Sequence, residues 1–236
     1  MRGGAAEGHG LVVVVPVLDE AEGLRARLLA LQPLRDGGAR VVVVDGGSRD
    51  ASVAIAEAHA DLVLTSPRGR ATQMNAGAAA LECRSLLFLH ADTALPEGAD
   101  RLVCAALASG HRWGRFDVRL DSARPAYRVI ERLINLRSRL SGIATGDQAI
   151  FVDAAAFHAV GGYPDLALME DIALSKRLKQ LGRPACLHAV VVTSARRWQR
   201  FGVWRTVWLM WRLRAAFALG ADPARLARSY RVGADG

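Results

Sequence analysis

Cysteine is scarce and scattered. Cys83, Cys104 and Cys186 are the only three, and no C-x-x-C pair or Cys/His cluster occurs. That spacing excludes the usual structural zinc patterns and a disulfide framework, and the thiols are expected to be free and buried. Long apolar runs are missing as well. The nearest approach, residues 203–219, is interrupted by Arg205, Arg212 and Arg214, so no bilayer-spanning helix is expected. Residues 1–10 are rich in Gly and Ala without an apolar centre, and they read as a disordered tail instead of a secretory signal. Neither G-x-G-x-x-G nor G-x-x-x-x-G-K-[ST] is present, which argues against a Rossmann dehydrogenase and a P-loop enzyme. No nucleic-acid-binding motif, internal repeat or linker is recognisable, so residues 11–230 are read as one domain with no nucleic-acid partner.

What is present is a core and a positive charge. The 236 residues are 51% hydrophobic and 23% charged, enough for one large α/β domain. Arginine far outnumbers lysine, and the formal charge is +8. Such a balance suits anionic partners, from nucleotides to acidic membrane surfaces.

Continuous apolar runs at 11–15, 40–44 and 85–89, with a shorter one at 61–64, read as buried parallel strands. Helical spacing separates them, so the first hundred residues alternate strand and helix, the pattern of a parallel sheet with helical crossovers. Later segments are less regular. Strands are expected at 113–120, 148–152 and 187–193, and helices at 96–109, 125–140, 170–181 and 203–219.

Three of the early strands end in polar tips, which should emerge on one edge of the sheet, where ligands gather in open α/β folds. Pro16-Val17-Leu18-Asp19-Glu20 follows the first strand and Asp45-Gly46-Gly47-Ser48-Arg49-Asp50 the second. His90-Ala91-Asp92 ends the strand at 85–89. Asp92 is placed either to hold a metal or phosphate or to cap the next helix. Asp45 can accept hydrogen bonds from a nucleoside or close an Asx-turn, with Ser48 or Asp50 capping the helix that follows. Glu170-Asp171 opens a later helix, where paired acids serve either as acid–base groups or as partners of the helix dipole. His188, in the late strand, reads as a core histidine, with an approach to the site as the alternative.

These motifs, with Gly69-Arg70, Asn75-Ala76-Gly77 and Gly146-Asp147-Gln148-Ala149-Ile150-Phe151 between them, occur in the order found in GT-A glycosyltransferases of family 2. The chain resembles most the small bacterial subgroup labelled transferase 2, associated with radical-SAM and seleno-domain gene clusters. The resemblance runs from about Leu11 to Tyr230. It implies a GT-A fold, with a mostly parallel sheet flanked by helices. It also implies an inverting transfer of one sugar from a UDP- or GDP-sugar to an unknown acceptor hydroxyl. By the same resemblance, Pro16, Leu18, Glu20, Asp45, Gly47, Arg70, His90 and Asp92 surround the nucleotide sugar. Asp92 holds Mn2+ or Mg2+, with His90 standing where the family has an acid. Asp171, with Glu170 in reserve, is the base, and Asp147 and Gln148 belong to the acceptor loop. Arg196 and Arg197 approach the diphosphate. Ser194-Ala195-Arg196-Arg197-Trp198 stands where processive members carry Q-x-x-R-W, which implies a non-processive enzyme.

Two other readings stand beside this one. A nucleotidyltransferase shares such a sheet but needs a Gly-rich basic loop that Pro16 to Glu20 does not supply. A non-catalytic basic binder would leave the strand-end acids without a role.

The helix at 203–219 places Trp204, Val207, Trp208, Trp211 and Ala215 on one face and Leu209, Met210, Leu213 and Phe217 on the other. A helix apolar on two sides requires two partners. One is the domain; the second is a membrane surface or another subunit, unless both faces are buried in one fold. The expected location is the cytoplasm, peripheral to the membrane if that helix touches lipid.

Overall fold

A run of valines has no polar face to give to water, so it belongs at the centre of a sheet covered on both sides. In the computed structural model, which describes residues 9–235, that run forms β1 (His9–Val17). β2 (Arg40–Asp45), β3 (Leu62–Thr65) and β4 (Cys83–Phe88) join it in parallel, in the spatial order β3-β2-β1-β4. Beyond β4 lie β5 (Thr93–Ala94), β6 (Trp113–Leu120), β7 (Phe151–Asp153) and β8 (Ala185–Thr193), in the order β7-β6-β8-β5. β7 and β5 are antiparallel to their neighbours.

Alternation along the strands sorts the core into two layers. Val13, Val15, Val41, Val43 and Leu87 face α1 (Ala21–Ala30), α2 (Gln32–Asp36), α3 (Ser52–His59) and, further along, α5 (Ala99–Ala108). Val12, Val14, Val42, Val44 and Phe88 face α4 (Arg70–Ala78), α7 (Ala154–Ala159) and α8 (Glu170–Leu178). α6 (Pro125–Ser141) lies against β6, and α9 (Arg196–Phe201), α10 (Val203–Ala218) and α11 (Pro223–Asp235) follow β8. The connection leaving β1 therefore runs over one face and the connection entering β4 over the other. Between those two strands is a topological switch point, whose carboxyl end is left open as a crevice.

Side chains in the α4 motif hold this geometry. Gln73 donates to the carbonyls of Val17 (2.9 Å) and Val44 (2.8 Å), tying together the ends of β1 and β2. Asn75 exchanges two hydrogen bonds with the backbone of Tyr163, at 2.8 and 2.9 Å. A Cβ on Gly77 would lie 2.4 Å from Val14 Cγ1 and 3.0 Å from Val44 Cγ2. Only glycine lets α4 approach the sheet this closely.

The alternating plan of the first hundred residues is as expected, with all three polar tips on one edge. His9 and Gly10 already belong to β1; residues 1–8 of the expected tail lie outside the described residues. The short elements β5, α2, α7 and α9 escape periodicity because two to six residues hold less than two turns or repeats, and α11 was not anticipated. Two expectations are corrected. His188 is not a core residue: it sits on the solvent side of β8, its side chain 87% exposed beside Asp117. The cysteines are free, but Cys104 is exposed and the other two are half-buried. No helix among the described residues is long and apolar enough to cross a membrane.

Gly77→Ala tests the close approach. Helix propensity alone favours alanine by about 1 kcal/mol, whereas overpacking against Val14 costs about 1–3 kcal/mol. The expected outcome is a lowered midpoint in thermal or urea unfolding; a raised midpoint would contradict the packing.

Candidate functional site

The crevice at the switch point opens into a cavity of about 460 Å³. Pro16, Leu18 and Glu20 line it from the tip of β1, Arg70 and Gln73 from α4, and His90 and Asp92 from the tip of β4. The β1 tip is fixed from outside: Asp19, at φ 53°, accepts from the Arg49 N–H at 2.7 Å, and the Asp19 N–H donates to Ser48 Oγ at 2.9 Å. The tip after β2 thus buttresses the tip after β1.

A second cavity of about 380 Å³ adjoins it and shares Arg70, His90, Asp92, Leu168, Glu170 and Tyr230. Its own walls include Asp147, Asp171, Trp198 and Arg214. Asp92 is held by β5 and β8, its Oδ1 accepting from Thr93 Oγ1 at 3.3 Å and Thr193 Oγ1 at 3.5 Å. It does not cap α5, which begins seven residues on, at Ala99 behind Gly98. Arg196, at the start of α9, bridges the two cavities: its Nη2 is 3.2 Å from Glu20 Oε2 and 4.0 Å from Asp92 Oδ2. Glu170 Oε1 lies 3.6 Å from Arg70 Nη1. Asp171 accepts from the Gly146 N–H at 2.9 Å and from its neighbour Ile172 at 2.7 Å. Met169, which precedes the pair, takes φ 68°, a left-handed conformation that aims both acids from the start of α8.

Electrostatics follow from burial. Desolvation and the Asp171 charge raise the Glu170 pKa, against the opposing pull of Arg70. Burial raises Asp171 too, against the N–H groups it accepts from. Burial, with Arg70 nearby, holds the His90 pKa well below its usual value, so the ring is neutral. Its Nε2 is buried without a partner among the described residues, and a Cβ on Gly146 would come within 2.4 Å of it. Arg137, behind the second cavity, has Nε and Nη2 buried without a partner among the described residues, and burial with the neighbouring Arg214 pushes its pKa down to about 10.

Not every expected residue joins the site. Asp45, 4% exposed, closes the turn after β2 by accepting from the N–H groups of Gly47 (2.9 Å) and Ser48 (3.1 Å). Neither Asp45 nor Gly47 lines either cavity. Gln148 is wholly buried in a capping box with Thr145, beneath the turn that presents Asp147. The side chain of Arg197 lies outside the described residues. Tyr230 and Arg214, by contrast, line the site from α11 and α10. Nothing local in the sequence marks them, since both arrive by the folding back of the C-terminal helices.

A carboxyl whose folded pKa is raised favours the fold below its ordinary value near 4 and loses that contribution as pH rises through the folded value. Glu170→Gln is therefore expected to raise the melting temperature at neutral pH, at about 2–4 °C per kcal/mol for a domain of this size. The gain should shrink toward pH 4, where the wild-type carboxyl is itself protonated. Melting curves across pH check the sign.

Comparisons with known proteins agree with this fold. The family model described as Glycosyl transferase family 2 matches residues 12–160. No curated protein matches the chain. Among solved structures, S. aureus TarS 1-349 is similar, with a TM-score of 0.61 and 17% identity, covering 84% of this chain and 64% of that one. The chain thus spans slightly under two thirds of that 1-349 fragment and 39% of the longer TarS chain, and the fragment has also been solved with UDP-GlcNAc. The mannosyltransferase PcManGT from Pyrobaculum calidifontis, in complex with GDP-Man and Mn2+, has a TM-score of 0.66 at 19% identity, covering 95% and 69%. Mannosyl-3-phosphoglycerate synthase from Rubrobacter xylanophilus has a TM-score of 0.55 at 16% identity, covering 78% and 67%. At such identities these likenesses show a shared fold, a mostly parallel sheet flanked by helices as in GT-A enzymes. The family match spans well over half of the 236 residues and includes the two strand tips that line the crevice and the third, which buttresses the β1 tip: the chain belongs to glycosyl transferase family 2.

Proposed function

We propose that this protein transfers one sugar from a nucleotide diphosphate sugar to an acceptor hydroxyl, with inversion at the anomeric carbon. One observation carries the reading: two cavities meet at a shared wall of Arg70, His90, Asp92 and Glu170. The first ends in strand-tip residues suited to a nucleoside. The second contains Asp171, a half-buried carboxylate held by two backbone N–H groups. The family match and neighbours solved with UDP-GlcNAc and GDP-Man support it; assignment to the small bacterial subgroup rests on the sequence motifs alone.

In this reading the nucleoside lies against Pro16, Leu18 and Glu20, and the diphosphate reaches Asp92 and Arg196. The acceptor enters from the second cavity. Its hydroxyl oxygen attacks the anomeric carbon from the face opposite the diphosphate, and the proton passes to Asp171. The bond from that carbon to the β-phosphate oxygen breaks, and its electron pair leaves with the nucleoside diphosphate. A single displacement inverts the centre. The raised pKa of Asp171 suits it to take that proton. Arg196 and Arg70 offset the charge of the leaving group through guanidinium–phosphate contacts. Ser194 in the cavity wall, where processive enzymes have glutamine, agrees with transfer of a single unit.

The residues also fit a divalent cation bound through one carboxylate and the donor phosphates. Asp92 faces both cavities; among the described residues its Oδ2 accepts no hydrogen bond, with Arg196 Nη2 4.0 Å away, and the neutral His90 leaves Nε2 without a partner. No group of three His, Cys, Asp or Glu side chains is placed to hold a metal by itself among the described residues, so Asp92 would hold the cation together with the donor phosphates. Mn2+ or Mg2+ held there would neutralise charge on the departing diphosphate.

Thermal shifts with UDP, GDP and CMP, with and without Mn2+ or Mg2+, test the donor side. At one hundred times its dissociation constant a ligand adds roughly 2.7 kcal/mol, a rise of several degrees. A metal-dependent shift with one nucleoside diphosphate is expected, and Asp92→Ala should abolish the metal-dependent part. No shift with any of them would overturn the reading. For the chemistry, Asp171→Asn is expected to keep the donor-induced shift while lowering kcat by about 10²–10⁴-fold; an unchanged kcat would remove Asp171 as the base.

A further inference from the structure

We propose that α10 seats the protein on an anionic lipid surface through a tryptophan stripe on its outward face. Trp204, Trp208 and Trp211 recur at helical spacing and are 83%, 63% and 72% exposed. Three indoles left in water along one stripe form an apolar patch that a monomeric soluble surface rarely carries. The inward face is fully used: Thr206, Leu209 and Leu213 are buried, and Leu209 and Leu213 share a cluster with Leu226 of α11. The stripe is therefore a separate surface and not an unfinished part of the core.

Charge identifies the occupant. From residue 195 to residue 230 the sequence holds eight arginines against the single acid Asp222. Arg205 and Arg212 are exposed and flank the tryptophans, and the Arg212 guanidinium lies 5.0 Å from the centre of the Trp208 ring. Indole rings at headgroup depth, bordered by arginines that reach phosphates, make a favourable interfacial helix on acidic lipid. A second copy of this chain would bring the same arginines against one another. α6 extends the surface: its first turns pack with Trp198 and Val203, and it carries exposed Val129, Leu133, Leu136 and Leu140 on one stripe beside Arg132.

This placement has a consequence for the site. Thr206, Met210 and Arg214 of the same helix form part of the second cavity's wall. A helix lying on lipid would thus bring that cavity to the level of the headgroups. Given the transfer reached above, the acceptor hydroxyl is then one carried by a lipid; the docking itself does not depend on that reading.

The experiment is co-sedimentation of the full chain with vesicles of phosphatidylcholine alone and of phosphatidylcholine mixed with phosphatidylglycerol, read also by tryptophan emission. The expected result is binding to the anionic vesicles only, weakened by salt, with a blue shift of emission. Trp204→Ser/Trp208→Ser/Trp211→Ser should lower the bound fraction roughly tenfold or more, and Arg205→Glu/Arg212→Glu should remove the preference for anionic lipid. Both variants alter exposed positions, and an unchanged melting temperature and donor shift would show that fold and donor site survive. Three results overturn the proposal: no vesicle binding by the wild-type chain, equal binding by the tryptophan variant, or a dimer in solution that this variant converts to monomer without vesicle binding.

Discussion

Between β1 and β4 the connections part to opposite faces of the sheet, and neither can cover the carboxyl ends of the two strands. Everything functional depends on this. The tips Pro16 to Glu20 and His90 to Asp92 are polar because they face the gap, and they face each other because parallel register brings Val14 beside Phe88. α4 is drawn against the sheet at Gly77, so that Arg70 and Gln73, at its first turns, reach the same gap. A strand-end acid in another register would have pointed into a helix layer.

The second half of the chain supplies what the parallel half lacks. β8 and β5 pair at Thr193 and Thr93, and the two hydroxyls hold Asp92 at the mouth. α8 begins at a left-handed residue and delivers two acids to the second cavity, Glu170 buried and Asp171 half-buried. Desolvation there favours protonated carboxyls and a neutral His90. From the side of the crevice Arg70 reaches Glu170, and Arg196 reaches Glu20 and Asp92. The site is thus poised between opposing charges and open to an incoming anion.

α10 has two apolar faces. One side packs on α8 and α11 residues and lines the second cavity, while the other presents three indoles outward. The helix has too many arginines to cross a bilayer, yet it exposes three tryptophans. The interfacial position proposed above would reconcile both.

Much of this was legible in the residues. Continuous valine runs specify buried parallel strands wherever they fold, because no other packing hides both faces. The order of the polar tips placed them on one edge, and Glu20, Arg70, His90, Asp92, Glu170, Asp171 and Arg196 do meet around the crevice. Spacing could not reveal how each acid is used, since that depends on what lies across the gap. Asp45, a candidate for the nucleoside, is taken up by its own turn, and Gln148 by a capping box, because nearby N–H groups reach them first. Arg214 and Tyr230 enter the site only through the folding back of α10 and α11. The sequence by itself determined the sheet, its open edge and the chemistry available there; the tertiary structure alone decided which polar groups are satisfied locally and which remain to meet a ligand, because hydrogen-bond partners distant in sequence exist only after packing.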